Sequence, residues 1–174
     1  LAQRLPHLCL LTGANAVTQE RLSRAFLAEA ASSQTTKTTP HVYHLAPDGF
    51  LCKWDFGCCL QAGHHTERRQ LLATLGDICI SIEGGPGTAD EIARALQVGN
   101  MVIPLARTGG ASSGMFHAPI HSIHRPSFID QVLWDCLFDT TASIADSANA
   151  VVSIVQAAII NARTTRRTNT EAAA

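Results

Sequence analysis

Three features of the chain combine residue types and spacing that can do chemistry. The first is the run Gly84, Gly85, Pro86, Gly87, Thr88, which follows directly on the apolar stretch Ile78–Ile82. Glycine here lets the backbone approach a ligand and turn its amides toward it, and a following helix brings its positive end to the same spot. Such a loop suits a phosphate; a strand-to-helix turn that needs glycine only for its geometry is the plain alternative. The second feature is Glu91, one turn into the helix expected from Ala89 to Val98. Its carboxylate can sit beside whatever the loop holds without meeting the phosphate, which is a place for a ribose. Asp90 and Glu91 also read as acidic residues near a helix start that complement its dipole. The third feature is the pair Arg68 and Arg69, close to the start of the preceding helix. The strand order could bring one of them to the same crevice, although a solvated helix face is the ordinary fate of such a pair.

Other constellations are weaker. Cys58, Cys59, His64 and His65 lie close in sequence, but adjacent cysteines rarely point at one ion and the familiar zinc spacing is absent, so no metal site is expected. His117, His121 and His124 have helical spacing, yet Pro119 interrupts them and a surface loop is the better reading. No nucleophile elbow or Ser, His, Asp order stands out.

These residues need elements to position them. Leu8 to Leu11 reads as a buried strand ending in the turn Thr12, Gly13, and a helical pattern follows through Leu22, Ala25, Phe26 and Ala30. After a polar connector over 32–40, Val42 to Leu45 forms a second strand, closed by the turn residues Ala46, Pro47, Asp48 and Gly49. The stretch 50–65 reads as loop with possible strand. Thr66 to Leu75 is a helix with Thr66 as its cap, and Ile78–Ile82 is the strongest buried strand. The helix 89–98 stops at Gly99, Met101 to Leu105 is another strand, and Thr108 to Gly114 is a glycine-rich loop. Two helices remain, over 128–137 and 144–162, opened by Ser127 with Asp130 and by Ser143 with Asp146. The alternation predicts an α/β fold, a mainly parallel sheet flanked by helices. In such sheets ligands gather at the carboxyl ends of the strands, which is where the glycine run stands.

Composition narrows the function classes. With 174 residues, 46% of them hydrophobic, the chain is expected to form one domain. Thirteen basic against 14 acidic residues give a net charge of -1, so no overall field attracts nucleic acid or an anionic membrane. Aromatic residues are only 5%, too few for base-stacking platforms. No continuous apolar run reaches the roughly 18 to 20 residues of a membrane span, and no signal stretch opens the chain, so a soluble, cytoplasmic protein is expected. The six cysteines show no CxxC pair and are read as reduced thiols.

The run from Glu67 to Glu91, with an Arg, a following apolar helix, an Asp-led strand and GGxGTxxE, resembles the signature of the LOG-type, lysine decarboxylase-like proteins. More loosely, Leu11, Thr12 and Gly13 look like that family's glycine turn, and Val42 to Pro47 like its strand ending in proline. Thr108 to Gly110 resembles the threonine and double glycine of the branch that includes molybdenum cofactor carrier proteins. The resemblance implies a single Rossmann-like SLOG domain, usually a homodimer, over 1–162, with 163–174 as a disordered tail. Its opening strand has no counterpart ahead of Leu1. Active members are phosphoribohydrolases that split nucleoside 5'-monophosphates into free base and ribose 5-phosphate. The alternative expectation is a non-catalytic binding or carrier protein that uses the same crevice to hold a nucleotide or molybdenum cofactor. No metal or redox cofactor is implied. By position, Arg68 corresponds to the catalytic arginine and Glu91 to the catalytic glutamate. Gly84, Gly85, Pro86, Gly87 and Thr88, with Thr12 and Gly13, correspond to the phosphate and nucleotide site.

Overall fold

A computed structural model of the chain describes residues 5, 8–14, 16–32 and 41–172. Strands and helices alternate except that the strand Cys58–Gln61 directly follows His41–Ala46 and two helices close the chain; every strand pair is parallel and helices flank the strands. The fold class is therefore the Rossmann-like α/β one that the sequence pattern predicts. The chain divides into two compact units, Leu1–Asp77 and Ile78–Ala174.

The first unit contains β1 (Cys9–Thr12), α1 (Val17–Ser32), β2 (His41–Ala46), β3 (Cys58–Gln61) and α2 (His65–Leu75). Its sheet has the order β1-β2-β3, so β2 is central and buries Val42, His44, Leu45 and Ala46. The register sets Leu10 opposite Val42 and Thr12 opposite His44. The third strand resolves the open stretch 50–65. All four of its residues are exposed, so no buried alternation was there to be read. Strand pleating also sends Cys58 and Cys59 to opposite faces. The second helix starts one residue earlier than expected and Thr66 is not its cap: His64 is, with its N–H donated to the Glu67 carboxylate at 2.8 Å. The polar connector expected over 32–40 lies, apart from Ser32, outside the described residues.

The second unit contains β4 (Ile78–Ile82), α3 (Pro86–Gln97), β5 (Met101–Leu105), α4 (Gln131–Asp135) and α5 (Ile144–Ala172). The two strands pair from Ile78 opposite Met101 to Ile82 opposite Leu105. Ala89, Ile92 and Ala95 form the buried stripe of α3, and Val102 and Ile103 are buried on β5. The glycine-rich stretch after β5 is folded into short 3-10 turns, Ala106–Thr108 and Gly110–Ser113, with further turns at Met115–His117 and Ile120–Ser122. His117, His121 and His124 are all exposed there.

Three expectations are corrected in this unit. The helix expected over 128–137 covers only Gln131–Asp135 and is capped by Asp130 rather than Ser127; the Asp130 carboxylate accepts from Val132 N at 2.8 Å and Leu133 N at 3.4 Å. The last helix is capped as expected by Ser143, whose hydroxyl accepts from Asp146 N at 3.0 Å. It then runs on to Ala172 instead of giving way to a disordered tail at Arg163, because extending a nucleated helix adds one bond for each residue fixed. Within it, Ile144–Thr165 is long and apolar enough, by length and composition, to cross a membrane. Scattered Ser, Asn and Gln residues break the continuous run without removing its apolar average. Its first half buries Ala150, Val151, Ile154 and Val155 at helical spacing, the stripe of a core helix.

Candidate functional site

The turn from β4 into α3 reverses on two consecutive left-handed residues, Glu83 at φ 51° and Gly84 at φ 93°. A glutamate in this region costs on the order of 1 kcal/mol and persists only where its surroundings fix it. The turns after β5 do so. Glu83 N–H donates to Thr108 Oγ1 at 2.7 Å, and Thr108 Oγ1 donates to the Leu105 carbonyl at 2.6 Å. The Glu83 carbonyl accepts from Ser112 N at 3.1 Å and Ser112 Oγ at 2.9 Å, while the Gly84 carbonyl accepts from Ala111 N at 2.9 Å. One turn is thus locked by the other, with both carbonyls committed to it.

The glycines divide by what a side chain would meet. At Gly84 a Cβ would lie 2.4 Å from Thr88 Oγ1, and at Gly110, with φ 59°, it would lie 2.5 Å from the Gly84 carbonyl oxygen. These two are required by packing. Gly85 has an ordinary extended backbone, φ -106°, and its Cβ would meet nothing within 4 Å. The structure leaves open space above a residue that has no geometric need to be glycine.

That residue caps α3, which begins at Pro86, three residues before the expected start, with no side-chain cap. Proline suits the first helical position because its φ is preset and its missing N–H would have no partner there. The intrahelical ladder opens with Ala89 N–H on the Gly85 carbonyl at 3.1 Å. The amides of Gly87 and Thr88 therefore lie ahead of the ladder, at the positive end of the helix. Pro86, expected as part of a loop of inward amides, contributes none.

Glu91 is half-buried and follows Gly87 and Thr88 at four and three residues, so all three share one helix face. Side chains on a helix tilt toward its N-terminus, which carries the carboxylate back toward the free amides. Asp90 separates from it: its carboxylate takes Arg94 Nε at 3.1 Å on the helix surface. Burial foremost, and the Glu91 charge second, push the Cys79 thiol on β4 up to about 12. Cys79 is therefore no nucleophile near neutrality. Two residues along the same strand face, Ser81 is buried and its Oγ has no hydrogen-bond partner among the described residues. Sequence reasoning missed Ser81 and Ser112, and pointed to Thr108 only through the resemblance; the one local signal for Ser81 was a hydroxyl inside an apolar strand.

The remaining expected residues gather in the first unit. Thr12 is buried, with Oγ1 2.8 Å from His44 Nδ1. Arg68 is 3% exposed and donates from Nη1 to the Gly13 carbonyl at 3.2 Å, so it is not on a solvated helix face. A Cβ at Gly13 would lie 2.1 Å from that nitrogen, which makes glycine the condition for the guanidinium's seat. Arg69 is half-buried. The expected site residues thus form two groups: Thr12, Gly13 and Arg68 together in one unit, and Gly84, Gly85, Pro86, Gly87, Thr88 and Glu91 together in the other.

No family model, characterised protein or solved structure matches the chain.

Proposed function

We propose that the chain is a phosphoribohydrolase that cleaves the N-glycosidic bond of nucleoside 5'-monophosphates, giving free base and ribose 5-phosphate. The observation that carries this reading is the uncapped start of α3, with open space above Gly85 and Glu91 on the same face one turn further. The amides of Gly87 and Thr88 hold the 5'-phosphate, for which a helix N-terminus is a ready-made site. Glu91 faces the ribose. As the base departs, positive charge develops at the anomeric carbon, and a fixed carboxylate there stabilises the transition state more than the ground state. Water adds to the anomeric carbon, and its proton leaves with the base. The resemblance gives Arg68 the catalytic arginine's role; its buried seat on Gly13 supplies the rigidity that such a role demands.

A second reading keeps the same cradle without chemistry, as a nucleotide or molybdenum cofactor carrier. Its support is that Thr108 and Gly110, the residues that resemble that branch, are the ones packed on the turn before α3. A thermal-shift screen over nucleoside monophosphates, sugar phosphates and pterins identifies the ligand class, and release of free base from a bound monophosphate separates the hydrolase from a nucleotide carrier. Saturating AMP is expected to raise the midpoint by about 5 °C or more, more than ribose 5-phosphate does. A shift with pterins and none with any monophosphate would turn the assignment to the carrier.

A further inference from the structure

We propose that His44 is a proton-operated latch: neutral, it holds residues 51–57 over the ends of β1 and β2, and protonated, it releases them. The proposal stands apart from the phosphoribohydrolase reading. His44 lies on the central strand, fully buried, with Thr12 as its in-register neighbour and Thr12 Oγ1 at 2.8 Å from Nδ1. Trp54 and Phe56, stacked on each other at 5.9 Å, both meet the imidazole edge to face at 4.6 and 5.4 Å. Gly57, at φ 72°, brings the backbone in so closely that a Cβ would lie 2.6 Å from Nε2. The ring is enclosed on one side by the sheet and on the other by this segment.

The enclosure is made of neutral groups: the Thr12 hydroxyl, the Trp54 and Phe56 rings and the Gly57 backbone. His44 Nε2 is buried without a hydrogen-bond partner, and burial holds the ring below the ordinary histidine value, with the Phe56 backbone only partly offsetting it. From β1 the group facing it is the neutral Thr12 hydroxyl. From β3 it is Cys59, in register with His44, whose thiol is pushed up by burial and by Cys52 and so stays uncharged. On the covering segment Asp55 is exposed and committed to Arg24 at 3.0 Å. On α1 the same Arg24 sits 4.4 Å over the Phe56 ring, and on α2 Arg68 holds Gly13. The charges on these elements thus include Arg68, Arg24 with its two partners Glu20 and Asp55, and Lys53 on the covering segment. Protonation would make both ring nitrogens donors, and Nε2, which is buried without a hydrogen-bond partner, would then carry an N–H and part of the charge out of reach of water.

In an open state His44 takes its ordinary value of about 6.5, whereas the closed state holds it lower. Above about pH 6.5 neither state binds the proton and the closed form keeps its full advantage. As pH falls below that, the open state gains the proton first, and its population relative to the closed form rises by up to about tenfold per pH unit until the closed-state value is reached.

The test uses the full chain with Trp134→Phe, which leaves Trp54 as the sole indole. Its emission and acrylamide quenching are followed from pH 8 to 5 beside far-ultraviolet circular dichroism, and the His44 ring is titrated by NMR. The expected result is a red shift and increased quenching of Trp54 in a one-proton step below pH 6.5, with helical signal constant and the NMR titration of His44 coincident. His44→Gln, which keeps hydrogen-bonding capacity without titrating there, is expected to abolish the step; should that variant not fold, the NMR coincidence decides. Unchanged Trp54 emission down to pH 5, a His44 titration at or above pH 6.5, or a shift accompanied by loss of helix would each overturn the latch.

Discussion

Glu91→Gln is expected to lower turnover of AMP by about 100-fold or more while binding largely survives, because it removes the charge that faces the developing oxocarbenium ion and keeps the side chain's size. The competing account makes Glu91 a helix-dipole residue. That account predicts a loss of only a few tenths of a kcal/mol in stability and no kinetic effect. The structure already weakens it, since Glu91 lies beyond the first turn of α3. The measurement is kcat and KM for the parent and variant: a fall in kcat at steady KM is the signature of an interaction made only in the transition state. Parental turnover in Glu91→Gln would remove Glu91 from the mechanism. Arg68→Ala is expected to lower turnover as well, and also stability, because it empties a buried seat and strands the Gly13 carbonyl. Arg68→Lys keeps the charge but not the planar fork and is expected to fall between the two. Full activity in both Arg68 variants would leave this arginine a purely structural role.

Gly85→Val is expected to abolish nucleotide binding while leaving the unfolding midpoint close to that of the parent. Valine adopts the extended conformation found at Gly85, and its first side-chain atom meets nothing within 4 Å, so the fold has no reason to object. The branched side chain then occupies the space through which a phosphate reaches the amides of Gly87 and Thr88. Two neighbours supply the contrast. Gly84→Ala and Gly110→Ala each combine a left-handed φ with an overlap, and are expected to cost about 2–4 kcal/mol in urea unfolding. Isothermal titration with AMP alongside urea denaturation checks all three variants. Unchanged affinity in Gly85→Val would show that the phosphate does not enter over α3.

The elements around this region were legible where burial left a pattern. Ile78–Ile82 and Met101–Leu105 are short apolar runs ended by turn chemistry, and both strands stand where the pattern puts them. The third strand escaped because an exposed edge strand, Cys-Cys-Leu-Gln, carries no alternation. The start of α3 was read three residues late, since Pro86-Gly87-Thr88 has loop composition although proline at a first helical position marks a start. Of the site, the glycine run and Glu91 were legible as local spacing. The Thr108 and Ser112 bonds to Glu83 join residues 25 and 29 positions apart, and periodicity within one element holds no record of such pairs. Arg68 illustrates the same limit: helical pattern suggested a solvated face, and only its pairing with Gly13, 55 residues away, puts it inside.

The most direct test of the central claim is the release of free base from AMP and the other nucleoside 5'-monophosphates by the purified chain, with ribose 5-phosphate quantified in the same samples. The account predicts base and ribose 5-phosphate in equal amounts, growing with enzyme concentration and reduced to near background in Glu91→Gln. Monophosphates that bind yet stay intact through prolonged incubation would contradict it, and would leave the cradle over α3 as a binding site alone.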